Sequence, residues 1–403
     1  MINALPIAPT LLTQLYYWGV FVACMFLYFS YSRSGDCSNL LKRNSMLPAL
    51  LLTLFLIVYI GLRPASYLFG DTVNYARTYR ESAGLAVFNI NFDSEWFWQF
   101  IMLTCKQTGF TVNMWFLVIE IGYLGFVFLG LRKLLGENPW MAMLFFLSAF
   151  STFSYGTNGI RNGLACSMAT FVFAYIANKN LFHVGLLSLV LIFAFGIHRS
   201  IALPVVAFFA ASYVIKSPKI AVYFWIASIG ISLVAGESVT NFFAGLGFDD
   251  RMASYAVSAE DKNADLFSHT GFRWDFLAYS AMPVWLTWYI CKKAEKDQME
   301  YGATAEELET GVAGAGRIAD VDSMKIFNIL ATTYILANSF WVMVIRASFS
   351  NRFAYLSWFL YPVVLAYAVI RLHIWKDQDR KAGLILALHI GFTMFMYLIY
   401  YGR

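Results

Sequence analysis

Five short segments hold residues whose types and spacing suit chemistry at a phosphate or at a sugar hydroxyl. The first, RPASYLFGDTVNY at 63–75, opens on Arg63, sets Asp71 between Gly70 and Thr72, and ends on Tyr75. A carboxylate at such a turn can accept a proton from a hydroxyl nucleophile; Asp71 would serve equally well as a plain helix N-cap. The second, SYGTNGIRNGLA at 154–165, has glycines at 156, 159 and 163 that allow close backbone approach, and Arg161 near the start of the next helix. A helix N-terminus beside an arginine is a ready anion site, although an arginine at an interface can also simply snorkel. The third, GIHRSIALP at 196–204, pairs His198 with Arg199; a histidine here serves as base or as hydrogen-bond donor, or is merely structural. The fourth, HTGFRWDF at 269–276, carries Arg273. The fifth, RASFSNRFAYLSW at 346–358, brackets a short turn with Arg346 and Arg352 and places Tyr355 one turn further on. Two arginines this close to apolar helices are expensive unless solvated or bound to an anion.

The elements that position these segments are helices in a membrane. The chain of 403 residues is 60% hydrophobic and only 13% charged, about half the charge of an ordinary soluble domain. A bilayer core needs roughly 20 apolar residues per helix. Spans are expected near 11–31, 47–62, 111–131, 138–155, 162–178, 181–197, 200–215, 220–235, 274–291, 326–345, 353–372 and 382–401. The fold class is therefore an all-α polytopic membrane protein of about twelve transmembrane helices, one transmembrane domain over 1–403. The first apolar stretch lacks a basic leader and is expected to stay as a helix. The segment 93–108 is too polar and short to count as a span and suits a re-entrant or interfacial helix.

Lysines and arginines in short loops set the orientation. With twelve spans, one face takes 11 Lys and 6 Arg and the other takes 2 Lys and 10 Arg. The first is assigned to the cytoplasm, with both termini on the other side. Arginine offers a planar fork that grips phosphate or carboxylate bidentately, whereas lysine is a hydrated point charge. An outer face built from arginine thus suits anions. Outer loops at about 63–110 and 236–273 are rich in Tyr, Phe, Trp, Asn and Asp, a composition that packs on sugar rings and hydrogen-bonds their hydroxyls. The inner segment 292–325 is charged and rich in Ala, Glu and Gly, and suits a flexible connector.

Several functions lose ground on the same residues. The net charge of +5 with no long basic run argues against nucleic acid. Cys24, Cys37, Cys105, Cys166 and Cys291 are scattered without paired spacing, so neither a metal site nor a disulfide framework is expected. The neighbouring Asp249 and Asp250 are weak grounds for a metal, and no metal or other cofactor is assigned. Glu120 and His389 are the mid-span ionisable residues; a proton-coupled transporter would carry more. A lipid-linked oligosaccharide flippase would show two similar halves and charges in a mid-membrane cavity. An acyltransferase would centre on a buried histidine, and a scaffold would not need ten outer arginines.

GDTVNY after the second helix, GIRNGLA, the GIHRS helix end and SNRFAYLSWF resemble the EpsG-like, Wzy-type polysaccharide polymerases of bacterial inner membranes, over about residues 60–362. The resemblance implies a GT-C-like glycosyltransferase architecture with its working face in the periplasm. It implies a reaction in which a growing glycan leaves undecaprenyl pyrophosphate and passes to the next lipid-linked repeat unit. Arg63, Tyr75, Arg161, Arg199, Arg273, Arg346, Arg352 and Tyr355 would then bind substrate and pyrophosphate, and Asp71 or His198 would be the base. An acid in the first outer loop of other GT-C enzymes favours Asp71. The chain departs from the pattern in its long inner segment and its lack of an acid pair for a metal, so metal dependence is not expected. Donor and acceptor lipids, membrane lipids, a chain-length regulator and a flippase are the implied partners. A flippase, or an O-antigen ligase with a different acceptor, is the alternative; a ligase would have one dominant outer loop.

Overall fold

The computed structural model describes residues 3–33, 46–82, 90–136, 138–178, 184–245, 272–301, 321–347, 350–372 and 374–401. Asp249 and Asp250, most of 236–273 beyond Gly245, and the middle of the 292–325 segment lie outside them. The described residues are helical, with no strand among them. The order is α1 Pro9–Arg33, α2 Met46–Gly61, α3 Thr72–Glu81, α4 Trp96–Gln107, α5 Val112–Leu135, α6 Pro139–Leu147, α7 Thr152–Thr157, α8 Ile160–Ala177 and α9 Val184–Ile197. Then follow α10 Ala202–Phe209, α11 Pro218–Gly245, α12 Trp274–Tyr301, α13 Val321–Met343, α14 Asn351–Trp358, α15 Tyr361–Arg371 and α16 Gln378–Tyr401.

Among the described residues seven stretches are long and apolar enough to cross a membrane: Pro9–Ser30, Val112–Leu135, Ile160–Ala177, Pro218–Gly236, Val321–Met343, Asn351–Arg371 and Gln378–Tyr400. Met46–Gly61, Val184–Ile197 and Arg199–Val214 are shorter apolar helices. Seven of the twelve expected spans thus have a qualifying helix, three have only a shorter one, and two take another form. The stretch 138–155 is split into α6 and α7 by a break at 148–151, and α12 runs on past its apolar part to Tyr301. That extension enters the segment expected to be a flexible connector, and it carries the ion pairs Lys293–Asp297 and Lys219–Glu295. Pairs spaced i,i+4, such as the first, suit a solvated helix. Within the expected outer loop at 63–110 lie two helices, α3 and α4, and α4 falls on the 93–108 segment expected as a re-entrant or interfacial helix.

The chain divides into two compact units. One comprises 1–198, 369–371 and 375–403; the other comprises 199–368 and 372–374.

In the first unit α5 and α8 make the most extensive pairing, and α2 packs on α5, α9 on α8 and α4, and α16 on α1. The break between α6 and α7 leaves backbone carbonyls without helical partners, which apolar surroundings cannot tolerate. Hydroxyls from three other helices supply the missing donors. Tyr16 donates to the Leu147 carbonyl at 2.9 Å, Tyr123 to that of Thr152 at 3.0 Å and Thr393 to that of Ser148 at 2.6 Å. The Ser148 hydroxyl also meets His389 Nδ1 at 3.1 Å, so the mid-span histidine belongs to this brace.

In the second unit α13 is central, flanked by α10, α11, α12 and α14. Its fully buried Asn338 accepts from Trp225 Nε1 at 2.8 Å and donates to Ser280 Oγ at 3.3 Å and Ser357 Oγ at 3.0 Å. Trp358 Nε1 donates to the same Ser280 hydroxyl at 2.7 Å. One satisfied polar network therefore ties α11, α12, α13 and α14 together, which fixes the register of helices whose apolar faces alone would slide.

Candidate active site

The first unit gathers its chemistry where α7 hands over to α8. Asn158 and Gly159 make the turn. Asn158 Oδ1 accepts from the Asp71 backbone N–H at 2.9 Å, and the Thr72 hydroxyl donates to the Thr157 carbonyl. Asp71 is thereby anchored to the turn by its backbone. It occupies the N-cap position of α3 without capping it through its side chain; instead its Oδ1 accepts from Asn74 Nδ2 at 3.2 Å. Gly70, just before it, has φ of +59°, in the region L side chains avoid, and a Cβ there would strike the Asn158 amide. We expect Gly70→Ala to cost about 1 kcal/mol or more, to free Asp71 from Asn158, and to lower both the melting temperature and the activity of the purified protein. A variant with wild-type melting and turnover would show that this anchor is dispensable.

Arg161 follows one turn on. It is the second residue of α8, whose N-terminus has no side-chain cap. Gly163 lets α8 start here, because a Cβ would come within 2.7 Å of the Tyr155 carbonyl oxygen of α7. The guanidinium is held on two sides: Nη1 pairs with Glu95 Oε2, and Nε donates to the Tyr75 hydroxyl at 3.3 Å. The Tyr75 ring in turn meets Trp98 edge-on at 5.7 Å, and Trp98 leans on Trp115 at 5.2 Å. An aromatic column thus backs the arginine.

Glu95, at the N-cap position of α4, is the hub. Its second oxygen, Oε1, lies 2.8 Å from His198 Nδ1 at the end of α9. A carboxylate only accepts, so the imidazole proton sits on Nδ1 and, in the neutral ring, the lone pair on Nε2. That is the tautomer of a histidine base oriented by an acid. Arg161, Glu95 and His198 are 16%, 20% and 15% exposed. They are screened enough for the charges to matter and open enough to meet a ligand.

Arg63 stands apart from this cluster. It was expected among the open anion binders, but it is 1% exposed. Its Nη1 donates to the Ile60 carbonyl at 3.0 Å and Nη2 to that of Thr157 at 3.5 Å, and its guanidinium lies 4.5 Å from the centre of the Phe116 ring. Burial pulls its pKa down to about 10, against the pull of Glu120 and Tyr75. It remains charged at neutral pH and works from beneath the turn.

A family model, described as the EpsG family, matches residues 46–403. The chain belongs to the EpsG family. It is thus a membrane protein of polysaccharide biosynthesis. No curated protein and no solved structure matches it.

In this EpsG-family chain Asp71, Tyr75, Arg161 and His198 fall in the first unit, with Tyr75 and Arg161 in direct contact and His198 joined to Arg161 through Glu95. Arg199, Arg273, Arg346, Arg352 and Tyr355 fall in the second unit. There Arg273 is engaged by Asp275, Nε to Oδ1 at 3.0 Å and Nη2 to Oδ2 at 2.6 Å, and lies 3.7 Å from the Phe276 ring centre. Arg346 is exposed; it lies 5.8 Å from the Phe272 ring centre and packs against Gly236, next to a kink at Ala235 in α11. Tyr355 is buried against Trp358. Among the described residues no group of three or more His, Cys, Asp or Glu could hold a metal ion. Glu95 was not anticipated. Its one sequence signal is an acid directly before the apolar-aromatic run WFWQF.

Proposed function

We propose that this protein is a polysaccharide polymerase, a membrane glycosyltransferase that joins undecaprenyl-pyrophosphate-linked repeat units at the periplasmic face of the bacterial inner membrane. The observation that carries the reading is the sharing of Glu95 between Arg161 and His198 beside the uncapped start of α8. In this reading Arg161 is the anion-binding group and His198 the base, both held by one carboxylate. The proposed topology has twelve passes in a GT-C-like architecture, with the α7–α8 turn and the end of α9 outside.

The donor presents a sugar whose anomeric carbon is bonded to a pyrophosphate oxygen. Arg161 and the first N–H groups of α8 bind that pyrophosphate. The acceptor hydroxyl oxygen attacks the anomeric carbon and the carbon–oxygen bond to pyrophosphate breaks. Its electron pair leaves with the carrier lipid, and the hydroxyl proton passes to His198. Pyrophosphate is a good leaving group and needs charge stabilisation more than an acid, which a preorganised guanidinium and backbone dipoles supply. Asp71, tied to the same turn, serves as the alternative base or orients the acceptor. Tyr75 holds Arg161 and offers a ring to a sugar. Arg199, Arg273, Arg346 and Arg352 are the second unit's set of anion ligands, and Tyr355 packs against Trp358 in the same unit. The chemistry as drawn uses no metal.

The deciding experiment incubates purified protein with an undecaprenyl-pyrophosphate-linked repeat unit and resolves the products on a gel. A ladder of regular steps is the expected result. Transport of the lipid across a proteoliposome bilayer without a ladder would put a flippase in its place, and transfer of the glycan to an unrelated acceptor would make it a ligase.

A further inference from the structure

Glu120 is the one carboxylate the mechanism above leaves unused inside the first unit's helix packing. It lies in the middle of α5, is 1% exposed, and neither of its oxygens has a hydrogen-bond partner among the described residues. Arg63, equally buried, has an unpartnered Nε. A lone buried carboxylate and a lone buried guanidinium are each severely disfavoured; together they compensate.

The two side chains converge on the same pieces of backbone. A Cβ on Gly156 would lie 2.8 Å from Glu120 Oε1 and 3.0 Å from Ile60 Cγ2. Arg63 bonds the carbonyls of Ile60 and of Thr157, the residue after Gly156. A Cβ on Gly61 would lie 3.3 Å from Glu120 Cβ. Both charged groups thus sit between the end of α2, the middle of α5 and the end of α7. No direct hydrogen bond joins them, yet three polar atoms in this small space, Arg63 Nε and both Glu120 oxygens, have no partner among the described residues. A buried water typically makes about three hydrogen bonds to groups in that condition.

We propose that Arg63 and Glu120 form a buried ion pair bridged by internal water, and that this pair holds the 157–159 turn in place beneath Asp71 and Arg161. Thr157 is the joint: its carbonyl accepts from Arg63 on one side and from Thr72 on the other. Glu120 and Arg63 are positioning residues, and only the consequence for turnover rests on the polymerase reading. Glycine at 156 follows from the same arrangement, since any side chain there would occupy the space of the carboxylate.

The test reads the pair without any substrate. Infrared spectra of the purified full chain are compared with those of Glu120→Gln. The expected difference is loss of an ionised-carboxylate band; loss of a protonated-acid carbonyl band would overturn the proposal, because a neutral Glu120 is no counter-ion. Hydrogen exchange by mass spectrometry then follows peptides spanning 154–163 and 70–75. Glu120→Gln and Arg63→Met are each expected to speed exchange there at least tenfold and to leave α13 peptides unchanged. The double variant should lose less protection than the two losses combined, since neither charge is stranded. Unchanged exchange in the single variants, or strictly additive losses in the double, would overturn the proposal. A wild-type protein that makes no ladder would sink the polymerase reading and leave these two measurements to decide the pair.

Discussion

Arg161→Ala is expected to abolish chain growth in the ladder assay while the protein still inserts and elutes as a folded species. The guanidinium is fixed in advance by Glu95 and Tyr75, so in the proposed reaction it would meet the departing pyrophosphate without reorganising. Removing one such preorganised donor slows a reaction by about 10²–10³, and Arg161 offers several. Arg161→Lys keeps the charge but loses the fork. A single ammonium cannot meet Glu95, Tyr75 and a phosphate in the same geometry, so activity should recover only in part. Equal ladders from wild type and Arg161→Lys would mean that a point charge suffices there. If lysine were silent at Arg161, Arg199, Arg273, Arg346 and Arg352 alike, the idea of arginines gripping the leaving group would fail as a whole.

The second large effect concerns Glu95. Its carboxylate orients His198 through one oxygen and Arg161 through the other. Glu95→Gln keeps the shape and removes the charge from both contacts. A positioned general base contributes about 10²–10⁴ in rate, and a histidine that loses its orienting acid loses much of that. The decisive comparison is the double variant. Glu95→Gln should slow His198→Ala by less than it slows wild type, the remainder being the Arg161 contact, because groups that act as a unit are strongly non-additive. Multiplicative losses would show that Glu95 and His198 act independently. Michaelis analysis separates the two contacts: the His198 half should appear in kcat, the Arg161 half also in KM for the pyrophosphate-linked donor.

The sequence carries much of this arrangement and hides its centre. Asp71, Tyr75, Arg161 and His198 were legible because each stands at a helix junction marked by glycine or by a polar interruption of an apolar run. Gly156 and Gly163 announced close backbone approach, and the structure shows what each makes room for. Glu95 was not legible, since its partners lie 66 and 103 residues away and nothing local distinguishes it from an ordinary polar residue before a helix. Arg63 was misleading for the opposite reason. It directly follows an apolar helix, where an arginine normally faces water, but the chain turns so that Asn113 Nδ2 reaches the Arg63 carbonyl at 2.8 Å and α5 covers the side chain. Helix counting from hydropathy met a similar limit at 138–155, where an averaging window runs across Ser148, Ser151 and Thr152 while the backbone breaks there. Phe146 to Thr152 give no proline or glycine to mark the break; it is held by hydroxyls from distant helices. The helical extension of α12 was hidden by composition, because Lys, Glu and Ala suit a solvated helix as well as a linker.

The brace around that break reaches further than the family likeness. The matched stretch begins at residue 46, yet α1, which precedes it, donates the Tyr16 hydroxyl to Leu147 and accepts from Tyr59 at the Leu12 carbonyl, 2.6 Å away. Tyr17 stacks on Tyr397 at 4.4 Å, close to the other end of the chain. The unit recognised by likeness and the unit that must be synthesised for this body to close therefore have different first residues. A gene trimmed to the recognisable part would keep every proposed catalytic side chain. It would expose the Leu147 carbonyl where no water replaces the lost donor, and it would leave α16 without the ring on which it rests.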